Sequence, residues 1–401
     1  PNVIEYTGNS DFEPYCKVIF NYTERQDKNC SYFGGSEFRS TKLLSEIIVT
    51  YDDAIVRKYE FIYNYTNYSR LSEIKYFEDG EIEINSTKIE WENQNPDFEL
   101  YGSESTIANH IGEYVKYVPG DYNGDGKTDL FVVENDQSNW YLYISEINAS
   151  GDLYMNLVNS GSMAFYNTVV LSAGDFNGDG TDEILQCELY NENVRINFIK
   201  FPDLLFEHDY VFDTYINNNI LKDLKPGDFN GDGISDIMML IQEDMHHSDF
   251  ERYEMNLYLI NDFAVSSTVN HSINEGFIRK MKNPVITDFN GDKKADILLM
   301  KLGAPCEMLE LDNSSNTLSF VCTPNEVSYT DDLYPGDFNA DGKSDLLYWD
   351  LETGSWNICY FTGMNFIDSE INCYFENSSD PSSNDYLEYI VRDFNADGKA
   401  D

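Results

Sequence analysis

Six short segments of nearly identical sequence recur along this chain of 401 residues, and the first five are each followed by an apolar run. The first segment reads Asp-Tyr-Asn-Gly-Asp-Gly-Lys-Thr-Asp. Each has acidic or amide side chains at its first, third, fifth and ninth places. Repetition of this kind indicates one structural unit used six times. The segments, numbered here as loops 1 to 6, occupy residues 121–129, 175–183, 228–236, 288–296, 337–345 and 393–401.

The oxygen-rich places of these loops suit a hard divalent cation. Calcium binds six to eight oxygens at about 2.3–2.6 Å, and the seventh place would add a main-chain carbonyl to the four side chains. The sequence therefore predicts up to six Ca²⁺ sites. The expected side-chain ligands are Asp121, Asn123, Asp125 and Asp129; Asp175, Asn177, Asp179 and Glu183; Asp228, Asn230, Asp232 and Asp236; Asp288, Asn290, Asp292 and Asp296; Asp337, Asn339, Asp341 and Asp345; and Asp393, Asn395, Asp397 and Asp401. The expected main-chain ligands are Lys127, Thr181, Ile234, Lys294, Lys343 and Lys399.

Two loops depart from the pattern. The sixth place is glycine in five loops, which suits a sharp turn with positive φ. Loop 4 has Lys293 there, and we expect a cost in stability and a weaker site. Loop 2 ends on Glu183, one methylene longer than aspartate, so this ligand must reposition or Asp182 must help.

An EF-hand is the obvious alternative to this interpretation. It would need a bidentate glutamate at the twelfth place and flanking helices. That glutamate is absent from all five loops whose twelfth place can be read, and the same test argues against helical dockerin-type pairs. The residues at the twelfth place are Val132, Gln186, Met239, Leu299 and Tyr348.

Simple Asp/Asn/Gly turns without a metal are the other alternative.

The spacing of the loops indicates a larger repeat. Loop starts are 54, 53, 60, 49 and 56 residues apart, enough for four short strands each. Continuous apolar runs such as 130–133 and 237–241 follow the loops and are typical of strands buried on both faces. An aromatic strand follows about ten residues later, and no sustained helical period appears. Repeated four-stranded sheets around an axis are therefore predicted. The aromatic residue at the second place should fill the space between neighbouring sheets: Tyr122, Phe176, Phe229, Phe289, Phe338 and Phe394.

These loops and their trailing strands resemble the FG-GAP/VCBS repeats of integrin-α-type β-propellers, from about residue 105 to the end. The resemblance implies an all-β fold of propeller blades, with a metal loop between the first and second strands of each blade. We expect the calcium-binding propeller over residues 101–401, with an incomplete last blade. Ring closure would then need N-terminal residues, a partner chain or further sequence.

Residues 1–100 are predicted to form a small antiparallel β domain, most simply a sandwich. Alternating segments flank Asp79-Gly80, a strong signal for a type I′ hairpin. The stretch from Val56 to Trp91, with Arg70-Leu71 and Ile74 within it, is similar to the segment that precedes the propeller in SpvB/TcB-like toxin-complex B components. The YD-repeat shell of that family has no counterpart in this sequence.

Charge and cysteine content bear on partners and compartment. The net charge of −46 makes nucleic acid and anionic membranes poor partners, and no apolar run is long enough to span a bilayer. The chain begins at Pro1 without a signal-like segment, which favours a processed, secreted form. Seven cysteines suggest disulfides of an oxidising compartment, with Cys187 left over, more simply as a buried free thiol than as an intermolecular bridge. The expected pairs are Cys16 with Cys30, Cys306 with Cys322, and Cys359 with Cys373.

Nine Asn-x-Ser/Thr sequons predict N-glycosylation. No zinc-ligand spacing, nucleophile elbow or phosphate loop is found, so we expect a non-enzymatic protein. The favoured hypothesis is a secreted, glycosylated scaffold for protein interaction, adhesion or self-assembly, with glycans as further possible partners. The alternatives are a toxin-complex B-like component that docks a translocation channel, and a calcium-dependent polysaccharide lyase or lectin. The sequons are at Asn21, Asn29, Asn64, Asn67, Asn85, Asn148, Asn270, Asn313 and Asn377.

Overall fold

The chain folds entirely into β-strands in the part that a computed structural model describes. Its 26 strands are connected by turns and loops, and no helix occurs among the described residues. Two compact units are formed, one of Pro1–Ser31 and Glu37–Asn95, the other of Tyr32–Ser36 and Pro96–Asp401. The described residues are 2–11, 13–34, 36–65, 69–91, 115–134, 139–149, 151–162, 168–190, 193–200, 205–215, 219–243, 252–273, 281–302, 305–323, 333–350, 355–363, 365–373 and 390–400.

The N-terminal segment forms one six-stranded sheet in which each strand neighbours the next in sequence. Asp79 and Gly80 connect β5 to β6 with φ of 54° and 78°, which confirms the predicted hairpin. The second sheet of the expected sandwich is not found among the described residues, because consecutive hairpins add every strand to the same sheet. The strands are β1 (Val3–Tyr6), β2 (Cys16–Phe33), β3 (Ser36–Tyr51), β4 (Ala54–Tyr65), β5 (Ser69–Glu78) and β6 (Ile82–Lys88).

The repeats form five sheets of four antiparallel strands, named blades 1 to 5, which confirms the predicted β-propeller. Blade 1 comprises β7 (Lys116–Gly120), β8 (Asp129–Val133), β9 (Asn139–Ile147) and β10 (Leu153–Ser162). Blade 2 comprises β11 (Thr168–Gly174), β12 (Glu183–Tyr190), β13 (Asn193–Lys200) and β14 (Leu205–Tyr215). Blade 3 comprises β15 (Ile220–Gly227), β16 (Asp236–Gln242), β17 (Tyr253–Asn261) and β18 (Ala264–Ile273). Blade 4 comprises β19 (Val285–Thr287), β20 (Asp296–Leu299), β21 (Glu307–Asp312) and β22 (Thr317–Cys322). Blade 5 comprises β23 (Leu333–Gly336), β24 (Asp345–Asp350), β25 (Ser355–Phe361) and β26 (Phe366–Cys373).

Burial explains the order of strands within each blade. Every residue of β8 and of β20 is buried, as the continuous apolar runs predicted. By contrast, most residues of β10 and β22 are exposed, as expected of strands at the outer edge of a sheet. The first strands of consecutive blades are neighbours, so the sheets are arranged around a common axis.

In loops 1 to 4 the aromatic side chain at the second place packs between two blades, as predicted. Phe176, which is fully buried, contacts the cores of blades 2 and 3, and Phe289 does the same between blades 4 and 5. Phe229 lies between blades 3 and 4, and Tyr122 between blades 1 and 2. One residue in each of these four loops therefore joins two sheets and connects the loop to the propeller core.

A closed ring of main-chain hydrogen bonds joins the six loops. In each case the N–H at the eighth place donates to the first-place carbonyl of the preceding loop, as Asp182 does to Asp121 at 2.8 Å. Thr128 of loop 1 donates to Asp393 of loop 6 at 2.9 Å and completes the ring. Closure at the level of the loops therefore uses the segment that contains loop 6. The remaining donors, Ser235, Ala295, Ser344 and Ala400, bond to Asp175, Asp228, Asp288 and Asp337 at 2.6–2.8 Å.

The expected disulfides are not found among the described residues. Cys16 and Cys30 are on one strand, β2, and 14 residues of extended chain separate them by roughly 46 Å, so that pairing is wrong. Cys306 and Cys322 are both buried, and the strand register places Met308, not Cys306, opposite Cys322.

In blade 5 the register likewise separates the two cysteines. Asp368 is opposite Cys359, and Trp356 is opposite Cys373. The side chains of Cys30 and Cys373 lie outside the described residues. Cys187 is a buried free thiol, as the sequence predicted, and burial raises its pKa to about 12.

Candidate metal centres

Each of the first five loops connects the first and second strands of a blade, as the resemblance implied. The first-place aspartate organises the turn by accepting several main-chain N–H groups. Asp121 Oδ1 accepts from Gly124 at 2.7 Å and from Asp125 at 3.1 Å, and Oδ2 accepts from Gly126 at 2.8 Å. Asp175, Asp228, Asp288, Asp337 and Asp393 accept from their own loops in the same way.

The ninth-place carboxylate connects the loop to the blade. Asp129 is fully buried, and its two oxygens accept from Tyr122 N at 3.0 Å and from Ser145 N, on the third strand, at 2.9 Å. Asp236 and Asp345 repeat both contacts within blades 3 and 5. A buried acid thus links loop, second strand and third strand in each of these blades.

Burial without a paired cation raises the pKa of these carboxyls. Desolvation, together with the nearby first- and fifth-place carboxylates, raises the pKa of Asp129 to about 6 and that of Asp236 and Asp345 to about 8. The pKa of Asp296 is raised well above its ordinary value for the same reasons. A divalent cation at these places would favour the charged form of all three acids in a loop.

Two places in every loop adopt the left-handed backbone conformation. At the sixth place, Gly126 has φ of 83°, and Lys293 takes φ of 69° in loop 4, as the sequence predicted. The fourth place is left-handed too, and there Ala340 and Ala396 have φ of 57° and 62° in loops 5 and 6. Sequence reasoning missed this second position. The fourth-place glycine of loops 1 to 4 was the available signal.

The third-place asparagine has a different role in loop 5. In loop 1 its Oδ1 accepts from Asp125 N at 2.9 Å, and loops 2, 3, 4 and 6 have the same bond. Asn339 Oδ1 is buried and accepts no hydrogen bond within the described chain. A buried amide oxygen without a donor is costly, and a cation would satisfy it.

The loops carry the oxygen ligands that calcium prefers. In the structure, these oxygens accept hydrogen bonds from N–H groups of the protein. Within the described ranges, no group of three or more His, Cys, Asp or Glu side chains is positioned to hold a metal. The seventh-place N–H donates to the fifth-place carboxylate, as in Lys127 N to Asp125 Oδ1 at 3.0 Å. Asp401 lies outside the described residues.

Lysine side chains neutralise several loops. Lys127 pairs with Asp125, and Lys343 lies 3.7 Å from Asp341. Lys294 is almost fully buried, pairs with Glu310 and lies 3.8 Å from Asp292. These ammonium groups come from the seventh place, where the sequence predicted only a main-chain role.

A cavity of about 600 Å³ lies along the axis. The first strands of all five blades line it, together with Ile390, Val391 and Arg392. Asp182 faces this cavity, and desolvation raises the pKa of its carboxyl to about 6 although Arg392 opposes the change. The axial cavity therefore holds charged groups that the loop motif alone does not reveal.

The described sequons lie at the surface. Asn21, Asn64, Asn85, Asn148, Asn270 and Asn313 are exposed, whereas Asn67, Asn377 and the side chain of Asn29 lie outside the described residues. Asn313 Nδ2 donates to Asn230 O at 2.7 Å, so a glycan on Asn313 would have to break that bond. No helix of the described chain has the length and apolarity needed to cross a membrane.

Comparison with solved structures finds matches of low sequence identity and low TM-score. The Dos1 propeller is 8% identical, with 91% of this chain and 83% of that chain covered and a TM-score of 0.36. A putative 6-phosphogluconolactonase from Bacteroides fragilis is 10% identical, with coverages of 89% and 94% and a TM-score of 0.34. The exotype rhamnogalacturonan lyase YesX is 8% identical, with coverages of 91% and 76% and a TM-score of 0.32.

No curated protein sequence matches the chain. Residues 121–185, which contain loop 1, strands β8 to β11 and loop 2, match the FG-GAP-like repeat family. The protein is a β-propeller that carries an FG-GAP-like repeat.

Proposed function

We propose that this protein is a secreted, glycosylated and non-enzymatic scaffold, a calcium-stabilised propeller that mediates protein interaction or self-assembly. Bound calcium would supply positive charge and coordination to loops that otherwise concentrate carboxylates. Asp337, Asn339, Asp341 and Asp345 would hold the ion in loop 5, with the main-chain carbonyl of Lys343. The observation that carries the calcium assignment is the buried Asn339 Oδ1, which lacks a donor among the described residues of a loop whose ninth-place acid is fully buried.

A calcium titration tests this assignment. Thermal unfolding would be followed in chelator, in millimolar CaCl₂ and in MgCl₂ as the control for ionic strength. A site filled at 100 times its Kd stabilises the fold by about 2.7 kcal/mol, so several filled loops should raise Tm clearly. Magnesium should act weakly, because it demands shorter, octahedral coordination. Equal Tm in chelator and calcium would contradict the proposal.

Asn339→Leu is the matched variant for loop 5. It removes the amide oxygen while keeping a side chain of similar size, and should reduce the bound calcium by one ion. Asn357→Leu is the control, since Asn357 lies on β25, outside the loops. An unchanged calcium count in Asn339→Leu would remove the observation on which the assignment rests.

Exposed apolar side chains on the outer strands support an interaction role. Leu157 on β10, Phe320 on β22 and Ile367 on β26 are 48%, 58% and 57% exposed. These are the last strands of their blades, and edge strands with apolar side chains are templates for pairing with another chain.

Sedimentation velocity tests the self-assembly part. If the outer edges associate, Phe320→Lys should shift the protein toward monomer. Ile220→Lys on the first strand β15 is the control, since Ile220 is similarly exposed at 54%. Assembly that is unchanged by Phe320→Lys and by the same change at Ile367 would argue against these edges.

Secretion and glycosylation would be supported by a mass decrease when N-glycans are removed from the natural protein.

A further inference from the structure

Loop 2 is the one loop among the first five in which a lysine from the third strand reaches the ninth place. Lys200 ends β13, and its ammonium pairs with the fifth-place carboxylate of Asp179. The same Nζ lies 3.5 Å from Oε1 of Glu183, which is fully buried. The Lys200 ammonium therefore lies beside the carboxylates of the fifth and ninth places, which in the other loops would be available to a metal ion.

The strand register shows why this arrangement is particular to blade 2. Ile184 is opposite Ile199, so Glu183 is opposite Lys200 one residue further along. The same position relative to the ninth place is held by Ile144 in blade 1, Leu259 in blade 3, Glu310 in blade 4 and Tyr360 in blade 5. None of these four side chains carries a positive charge.

The Glu183 carboxylate also accepts hydrogen bonds from two donors of its own loop. Asn177 Nδ2 donates to Oε1 at 2.5 Å, and Phe176 N donates to Oε2 at 3.0 Å. The additional methylene of glutamate lets the carboxylate reach the third-place amide and the ammonium together. The lysines at the seventh place differ, because Lys127 and Lys343 form ion pairs only with the fifth-place carboxylate of their loops within the described chain.

We propose that loop 2 does not use calcium, and that the Lys200 ammonium permanently takes the place of the metal there. A tethered cation is always present at high local concentration, so this loop keeps its conformation when calcium is scarce. The remaining loops would then respond to calcium while loop 2 holds blade 2 in place. This inference rests on the proposed calcium binding at the other loops.

Counting bound calcium by native mass spectrometry tests the proposal on the full chain. Lys200→Ile introduces the residue type that blade 1 has at this position, Ile144. The double variant with Glu183→Asp then has the same ninth-place acid as loop 1 and no lysine opposite it. The double variant should bind one more Ca²⁺ than the unmodified protein. Lys58→Ile is the matched control, because Lys58 pairs with Glu60 on β4, outside the loops, and this variant should leave the count unchanged. An unchanged count in the double variant would overturn the proposal.

Hydrogen exchange on the unmodified protein provides a second measurement that needs no variant. On transfer from calcium to chelator, the amides of Gly178 and Gly180 should keep their exchange rates within about twofold. The corresponding amides of loops 1, 3 and 5 should exchange at least tenfold faster. Calcium-sensitive exchange in loop 2 would overturn this inference alone, whereas the absence of bound calcium from every loop would overturn the proposed calcium function as well.

Discussion

The main-chain N–H of Thr128 donates a 2.9 Å hydrogen bond to the carbonyl oxygen of Asp393. This bond joins the first loop to the sixth although 265 residues separate the two in sequence. Side chains reinforce the junction: Val391 packs on the core of blade 5, and Ile390 packs on that of blade 1. Because the contact is so remote in sequence, its loop-closure entropy must be offset by these local contacts.

Tight packing at this junction gives the first prediction. Gly336 precedes loop 5, and a Cβ built there would lie 2.5 Å from the Cβ of Ala400 in loop 6. We expect Gly336→Ala to lower the free energy of unfolding by about 1–3 kcal/mol, because the crowded backbone has to shift. Chemical denaturation would measure the loss.

The same junction offers its own control. Ala400→Gly removes the closer of two contacts, the other being Val391 Cγ1 at 2.8 Å, so the double variant Gly336→Ala/Ala400→Gly should recover part of the lost stability. Failure of Ala400→Gly to rescue any stability would show that the cost does not come from the contact with Ala400.

The second prediction concerns the left-handed residue of loop 4. Lys293 has φ of 69°, and its N–H donates to Asp288 Oδ2 at 2.7 Å. A non-glycine residue in this conformation costs of order 1–3 kcal/mol, partly offset by the greater chain entropy of glycine. We therefore expect Lys293→Gly to stabilise the protein by about 0.5–1 kcal/mol. Denaturant midpoints would measure it.

A control for Lys293→Gly must separate backbone strain from charge. Lys293→Asn also removes the ammonium but keeps a side chain that tolerates positive φ. If charge alone mattered, both variants would change stability equally; if strain dominates, glycine gains more than asparagine. A destabilised Lys293→Gly would contradict the strain argument.

The blades could be predicted from sequence because their signals are local. Buried apolar runs such as 130–133 and the aromatic Phe176 lie at fixed sequence distances from a repeated loop. An assignment made in one repeat therefore predicts the same element in the others. Contacts between distant segments left no comparable signal. Lys200 is adjacent to Glu183 only through the strand register of β12 and β13. Cysteine spacing failed for a related reason, since Cys16 and Cys30 are separated along one long strand instead of facing each other.

The third prediction concerns the buried cysteine side chains. Peptide mapping of denatured, unreduced protein should find alkylated Cys187, Cys306 and Cys322, since all three are buried thiols in the folded chain. Alkylation before denaturation should leave Cys187 largely unmodified, because burial raises its pKa to about 12 and limits access. A peptide that links Cys306 to Cys322 would restore the disulfide expected from sequence.

The last prediction concerns pH. Asp236 and Asp345 have folded-state pKa values of about 8, against an ordinary value of 3.8, chiefly because both are buried. Groups whose pKa is raised on folding bind more protons in the native state than in the unfolded state. The contribution of these two groups to stability in chelator should therefore be fully present below pH 3.8 and decline as pH rises toward 8. Thermal unfolding across this range would measure the decline.

Calcium should reverse that trend, since the ion binds the charged carboxylates and competes with protons for them. With saturating CaCl₂, Tm should rise between pH 5 and 8, and the gap between the calcium and chelator curves should widen with pH. The carboxylates that face the two buried acids, Asp228 and Asp232 in loop 3 and Asp337 and Asp341 in loop 5, act in the same direction. Parallel curves would mean that the ninth-place acids do not take part in cation binding.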